Sequence, residues 1–309
     1  MTAAIGIHIH DTGGMMFLNF EPIDVRQQEA YGRMLAKCPQ ASSDYSFVNL
    51  WGWADEYGLL WAWKNDLVWI QQTFPEPVNW APIGDWRLID WPDILSSGDI
   101  MGSRTVTRVP EKLAEIWKSK LGNRVTVESL RGHWDYLYTS RDLIELKGSR
   151  YHSKKNLLNQ FRSNHDFKYA PMDAALTEKA MCLQTDWCIW KDCESQLMLA
   201  AENRVIEKIL SSWNRLKGLS GAALLVEDEL VAYTIAEVVN PRTLIIHFEK
   251  GDPDYKGAYQ AINQMFLEHT GNPEIVVNRE QDMDDEGLRK AKLSYHPMDF
   301  LRKFLCTFY

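Results

Sequence analysis

Three stretches of this sequence concentrate side chains able to carry protons or hold charge. The first is Glu145-Leu-Lys-Gly-Ser-Arg-Tyr-His-Ser-Lys-Lys-Asn156. Read as helix, it brings Lys147, Tyr151, Lys155 and Arg162 near one stripe, with Leu157, Leu158 and Phe161 on the buried side. Lys154 is the i+4 partner of Arg150. Cations at a helix start work against that helix's dipole, so they point to another use, a cradle for phosphate. The bland alternative is a solvated helix face. The second stretch is Leu244-Ile-Ile-His-Phe-Glu-Lys250. Strand alternation predicts His247 and Glu249 on one face, with Ile246, Phe248 and Lys250 on the other. The third leaves a strand as Asn278, Arg279, Glu280, Gln281 and Asp282 in succession and ends at Tyr295. Its helix sets Glu286, Arg289 and Lys290 on one face, and Leu288, Lys292 and Tyr295 on another. Carboxylates, cations and a phenol so close together could supply a general base, an acid and an oxyanion donor. A polar loop followed by an ion-paired helix is the alternative.

Other chemistries leave no trace. The sequence has no Gly-rich phosphate loop with Lys-Ser/Thr, no dinucleotide fingerprint and no paired-His zinc helix. His8, His10 and Asp11 have the chemistry of metal ligands, but a frayed terminus accounts for them better, and no metal is expected. The five cysteines, Cys38, Cys182, Cys188, Cys193 and Cys306, make no disulfide framework in a chain of 309 residues. Cys182, Cys188 and Cys193 are expected to act as small apolar residues. Most of the 13 Trp are expected in cores, with a Trp-lined cleft for an acyl group as the alternative.

Positioning these residues requires a mixed α+β (α/β) chain. Helices are predicted over 22–38, 44–53 (capped by Ser43 or Asp44), 111–121, 141–146, 150–162, 176–190, 202–216, 257–269 and 285–293. Hairpins are predicted from 58–63 with 67–72 and from 222–226 with 231–238. Strands are predicted at 105–109, 124–130, 167–171, 244–248, 275–278 and 300–308, and a loop at 80–91. Strands alternating with helices late in the chain put the domain change near residue 130, giving domains 1–130 and 131–309.

Composition excludes disorder, since 45% of residues are apolar and 25% charged. No apolar run reaches the length of a membrane span, and residues 1–20 lack the cationic flank of a signal peptide. A reduced, cytoplasmic protein is expected, peripheral at a membrane at most. Charge is uneven: Lys and Arg number 5 against 13 Asp and Glu over residues 1–100, 19 against 14 over 101–215, and 10 against 15 over 216–309. A basic middle between acidic ends argues against wrapping by nucleic acid and permits one local site for phosphate or RNA.

Several of these stretches together resemble the phosphatidylglycerol lysyltransferase C-terminal domain family, in its soluble stand-alone branch. The matching pieces are Phe20–Ile23, Ser43–Trp53, Pro82–Asp85, Leu146–Asn156, His247–Lys250 and Asn278–Pro297. The resemblance implies two tandem GCN5-related N-acyltransferase (GNAT) domains. It also implies an enzyme moving an aminoacyl group from aminoacyl-tRNA to a lipid headgroup or small-molecule acceptor, without a cofactor. Where relatives carry Asp-x-x-Arg, this chain has His247-Phe-Glu-Lys250, so Lys250 matches the cation and His247 replaces the acid. Of their Asn-Leu-Gly loop only Asn278 is kept. The implied roles place Lys147, Lys154 and Lys155 on donor phosphates and Lys250 and Arg279 on developing negative charge. Glu249 or Asp282 is the base and Tyr295 the acid. Tyr151, Asn156, His247, Asn278 and Glu286 complete the binding residues. Replacing Lys250 or Asp282 by Ala is expected to abolish transfer without unfolding. A coenzyme A-dependent N-acyltransferase and a non-catalytic RNA- or headgroup-binding module are the alternatives. The segment Asp254-Tyr-Lys-Gly257-Ala-Tyr259 departs at both ends from the loop that coenzyme A requires.

Overall fold

Short apolar runs broken by turn residues pair into two sheets, each of seven strands among the described residues. A computed structural model describes residues 18–96 and 104–309. The expectation for His8, His10 and Asp11 lies outside them. The first sheet contains β1 (Glu21–Pro22), β2 (Leu60–Lys64), β3 (Leu67–Gln72), β4 (Val78–Gly84), β5 (Thr105–Pro110) and β6 (Val125–Ser129). The second contains β7 (Asp135–Thr139), β8 (Phe167–Pro171), β9 (Leu219–Val226), β10 (Glu229–Asn240), β11 (Thr243–Gly251), β12 (Val276–Asn278) and β13 (Asp299–Leu301). The last strand, β14 (Lys303–Phe308), returns to the first sheet. The orders are β1-β2-β3-β4-β5-β14-β6 and β8-β9-β10-β11-β12-β7-β13.

Both hairpins form in antiparallel register, and the helix Glu111–Leu121 has the predicted limits. The predicted 80–91 loop is corrected: Val78–Gly84 is an interior strand. Pro82 can sit there because it falls in the bulge between the Val68–Ile83 and Ile70–Trp80 pairs, where the ladder is interrupted. Strand β7, absent from the sequence reading, is a five-residue run of Asp135-Tyr-Leu-Tyr-Thr139. The single predicted strand 300–308 divides at Arg302 between the two sheets. The cap of the helix Phe47–Gly52 is Ser46, whose hydroxyl accepts from the Asn49 amide at 3.2 Å. Ser43 and Asp44 are drawn instead into a buried charge network. Cys188 and Cys193 are bonded to each other at the end of the helix Ala174–Trp190, with Cα atoms 5.1 Å apart, which corrects the expectation of unpaired thiols.

One core joins the first sheet and its helices to one face of the second sheet, through the helices Ala174–Trp190 and Leu197–Ser211. Trp61, Trp86, Trp91 and Trp117 are fully buried in it. A second core fills the other face of the second sheet beneath the helices Ser140–Glu145, His152–Asn164 and Ala258–Thr270. The candidate chemistry of the sequence lies at the edge of this second core.

Candidate functional site

β11 and β12 run parallel, but they pair only over Thr243–Ile245 and Val276–Asn278. Beyond that point β11 continues to Gly251 while the other chain turns away. Glu249 and Arg279 meet in the resulting gap. Glu249 accepts from Arg279 at 2.5 Å and from Asn263 of the 258–270 helix at 2.8 Å. The guanidinium lies 4.8 Å from the centre of the Tyr295 ring and 5.8 Å from that of Tyr138. Burial would weaken the Arg279 charge, but Glu249 more than restores it. Among the described residues one guanidinium nitrogen, Nη1, is buried with no hydrogen-bond partner, as is the hydroxyl of Thr234, which pairs across the ladder with Glu249. Burial raises the Tyr295 phenol's pKa against the opposing charge of Arg279, so it keeps its proton at neutral pH.

The basic stretch reaches this gap through one residue. Lys154 is half-buried, with its ammonium 4.4 Å from the centre of the Tyr295 ring. Burial and then the Arg279 charge lower its pKa. Lys147, Lys155 and Asn156 stay on the surface, and Asn156 contacts His152 at 3.2 Å. The predicted stripe of Lys147, Tyr151 and Lys155 is therefore corrected. The helix starts only at His152, and Tyr151 is buried with its hydroxyl donating to the Tyr295 carbonyl at 3.2 Å.

A bulge sets the faces of β11. Ile235 opposes Phe248 and Ala236 opposes Ile246, so His247 is the extra residue. It turns away from Glu249, which corrects the predicted shared face. Its Nδ1 lies 2.8 Å from Glu280, and its Nε2 lies 3.4 Å from Glu237, which also accepts from Ser46. Burial alone would discharge this imidazole, but the two carboxylates hold its pKa up at about 9. Lys250 also faces away from Glu249. It pairs with Glu202 at 2.6 Å and lies 3.5 Å from the centre of the Trp187 ring, and burial lowers its pKa against the pull of Glu202. It therefore cannot meet charge developing at Glu249.

The five polar residues after β12 reach separate partners. Asn278 donates to Asp135 at 2.9 Å, Arg279 to Glu249 at 2.5 Å, and Glu280 accepts from Asn49 at 2.7 Å. Gln281 accepts from Ser43 at 3.0 Å. Asp282 is fully buried, accepting from Tyr136 at 2.6 Å, Arg289 at 2.8 Å and the Asp284 amide at 2.9 Å. Against burial, which would raise it, these donors hold its pKa at about 2. Asp282 is an anchor, its oxygens taken up by these donors, and it is not placed to act as a base. Glu286 is exposed on the helix Glu286–Leu293. Lys292, which the sequence placed on one helix face with Leu288 and Tyr295 but gave no role, donates to the carbonyls of Arg279 at 2.5 Å and Gln281 at 2.6 Å and so holds this loop.

Sequence reasoning also missed Asn263, and with it Asp44, Arg108, Asp135 and Lys303. Lys303, fully buried, bonds Asp44 and lies 2.6 Å from Asp135; Arg108 bonds Asp44 and lies 4.1 Å from the centre of the Trp80 ring. A lone acid in the aromatic strand Asp135–Thr139 was the available signal. Two open clefts of about 450 and 580 Å³ lie elsewhere, beside Trp51 and Arg215 and beside Arg87 and Lys120. Gly257 (φ +94°) passes so close to the 152–164 helix that a Cβ would lie 2.1 Å from the Leu157 carbonyl oxygen. Among the described residues, no helix is long and apolar enough to cross a membrane.

Two sheets, each with a parallel pair that separates after a few residues, make a mixed α+β chain, and a titratable cluster occupies the gap of the second. Residues 35–307 match the model of the family described as phosphatidylglycerol lysyltransferase, C-terminal, and the chain belongs to that family. A conserved protein of unknown function from Bacteroides thetaiotaomicron is 27% identical, with a TM-score of 0.85 over 95% of this chain and 100% of that one. L-PGS from Bacillus licheniformis shares the fold, with 11% identity and a TM-score of 0.62 over 93% of this chain and 92% of that one. An uncharacterised protein of Mycoplasmoides gallisepticum is 24% identical over 177 residues. That match spans 55% of this chain and about half the length of the curated relative.

Proposed function

We propose that this chain transfers an aminoacyl group from aminoacyl-tRNA to a lipid-headgroup or small-molecule acceptor, at Glu249, Arg279 and Tyr295. The observation carrying this reading is the unpartnered Nη1 of Arg279, buried beside Glu249 and separated from the basic surface only by Tyr295 and Lys154. An ester carbonyl directed at Nη1 develops negative charge on attack, and a buried guanidinium meets that charge without reorganising water. As Arg279 turns to the oxyanion, Glu249 is released to take the proton of the attacking amine or hydroxyl. Tyr295 then protonates the departing ribose oxygen. Lys147 and Lys155 lie where donor phosphates would approach. The coenzyme A alternative has less support. The chain's own Leu157 carbonyl covers the turn at Gly257, where a pyrophosphate would need open amides.

The test is binding and turnover with bulk charged and uncharged tRNA at two salt concentrations. Preference for charged tRNA is expected, with loss of the aminoacyl group when lipids or small metabolites are added. Glu249→Gln and Arg279→Lys should each lower turnover by about a hundredfold or more. Arg279→Lys keeps a cation beside Glu249 and should melt closer to the wild-type temperature than Glu249→Gln, which leaves the buried guanidinium without its carboxylate. Wild-type turnover in both variants would exclude these residues. Absence of binding at low salt would exclude the tRNA donor. Salt-sensitive binding that ignores charging, without turnover, would favour a binding module.

A further inference from the structure

Lys154 stands apart from the other lysines of the basic stretch 145–156. Lys147 and Lys155 are solvent-exposed, whereas Lys154 turns inward onto Tyr295, the ring that Arg279 also contacts. Among the described residues no carboxylate pairs with it, so the Tyr295 ring alone faces its charge, and burial and the guanidinium oppose that charge. We propose that Lys154 is an acylation site of the protein itself, modified by activated acyl esters bound at the Arg279 site. The identity of the ester as an aminoacyl-tRNA rests on the preceding reading; the nucleophilic amine does not.

The step balances without a further reactant. Unprotonated Nζ attacks the carbonyl carbon polarised by Arg279, and a C–N bond forms. The ester C–O bond breaks, and the ribose hydroxyl leaves with the proton lost by the amine. The products are an amide on Lys154 and deacylated tRNA. The Lys154 nitrogen becomes a neutral amide, and the positive charge moves outward to the α-amino group of the attached residue.

The test maps acylated lysines by mass spectrometry in two arms. With limiting acetic anhydride near pH 7.5, Lys154 should react faster than Lys147 and Lys155, since its ammonium lies beside the Arg279 guanidinium with no carboxylate partner among the described residues. Its rate should level off at a lower pH than theirs. In Arg279→Gln, where the opposing charge is gone, the lead should shrink. With charged bulk tRNA, an aminoacyl mass should appear on Lys154 and vanish in Lys154→Arg. Acetylation of Lys154 no faster than that of its neighbours would overturn the proposal, as would an aminoacyl adduct confined to other lysines. Fast acetylation without any adduct from charged tRNA would uphold Lys154 as the reactive amine and count against the tRNA donor.

Discussion

His247 illustrates how far a side chain's role depends on where it is held. Between Glu237 and Glu280 it places one positive charge against two buried carboxylates, and they raise its pKa to about 9 from an ordinary value near 6.5. The stability this contributes is fully present below pH 6.5 and is lost as pH rises through about 9, amounting to roughly 3 kcal/mol. His247→Gln removes the cation and leaves both acids buried. The variant should therefore melt at a lower temperature than wild type at pH 6.5. The gap should narrow markedly by pH 9.5, because wild type loses its advantage over that interval. Calorimetric melts across this range check it, and a gap independent of pH would remove the charge from the imidazole. The sequence identified His247 as polar and placed at a strand end, but it could not reveal that the residue's partners come from β10 and from the loop after β12.

At the scale of elements, the legibility of the sequence follows the range of the interactions that build each one. Glu111–Leu121 and Phe167–Pro171 have their predicted limits because their periodicity is local. The faces of β11 were misjudged because its bulge depends on the register with β10, which alternation alone does not encode. Pro82 misled for the converse reason, since a bulge makes proline acceptable inside a sheet. Gly257 lies in the segment that departs from the coenzyme A loop, and its left-handed φ and missing Cβ serve the packing of the 152–164 helix against the 258–270 helix. Ala at this position must strain the backbone and push the Leu157 carbonyl away. Gly257→Ala should cost more than about 1 kcal/mol in denaturant unfolding. It should also lower activity, because the displaced helix carries Lys154. Unchanged stability would instead favour a ligand-binding role for Gly257.

For the molecule as a whole, the two sheets share one plan: four antiparallel strands, a short parallel pair, then two more antiparallel strands. In each, an arginine follows the parallel contact and meets a buried carboxylate and an aromatic ring, Arg108 with Asp44 and Trp80, Arg279 with Glu249 and Tyr295. The two gaps differ in what else reaches them. Lys303 joins Asp44 to Asp135 and adds contacts to Gln281, which leaves the first gap filled by paired charges. The second retains an unpartnered guanidinium nitrogen, which is why the chemistry is assigned there. Lys303 begins β14, the strand that carries the chain's end back into the first sheet between β5 and β6. Asp44 comes from the first sheet's side and Asp135 from β7 of the second, so this one ammonium ties the two halves. Lys303→Met keeps the aliphatic stem, strands Asp135 without its cation and leaves Asp44 with Arg108 alone. Removing one partner of a buried ion pair typically costs 3–5 kcal/mol. Because a shared core and a shared charge cluster couple the halves, the loss should appear as one lowered unfolding transition rather than two. A second transition, with the Glu249 half retaining its stability, would mean that the halves fold independently and that Lys303 serves only the first.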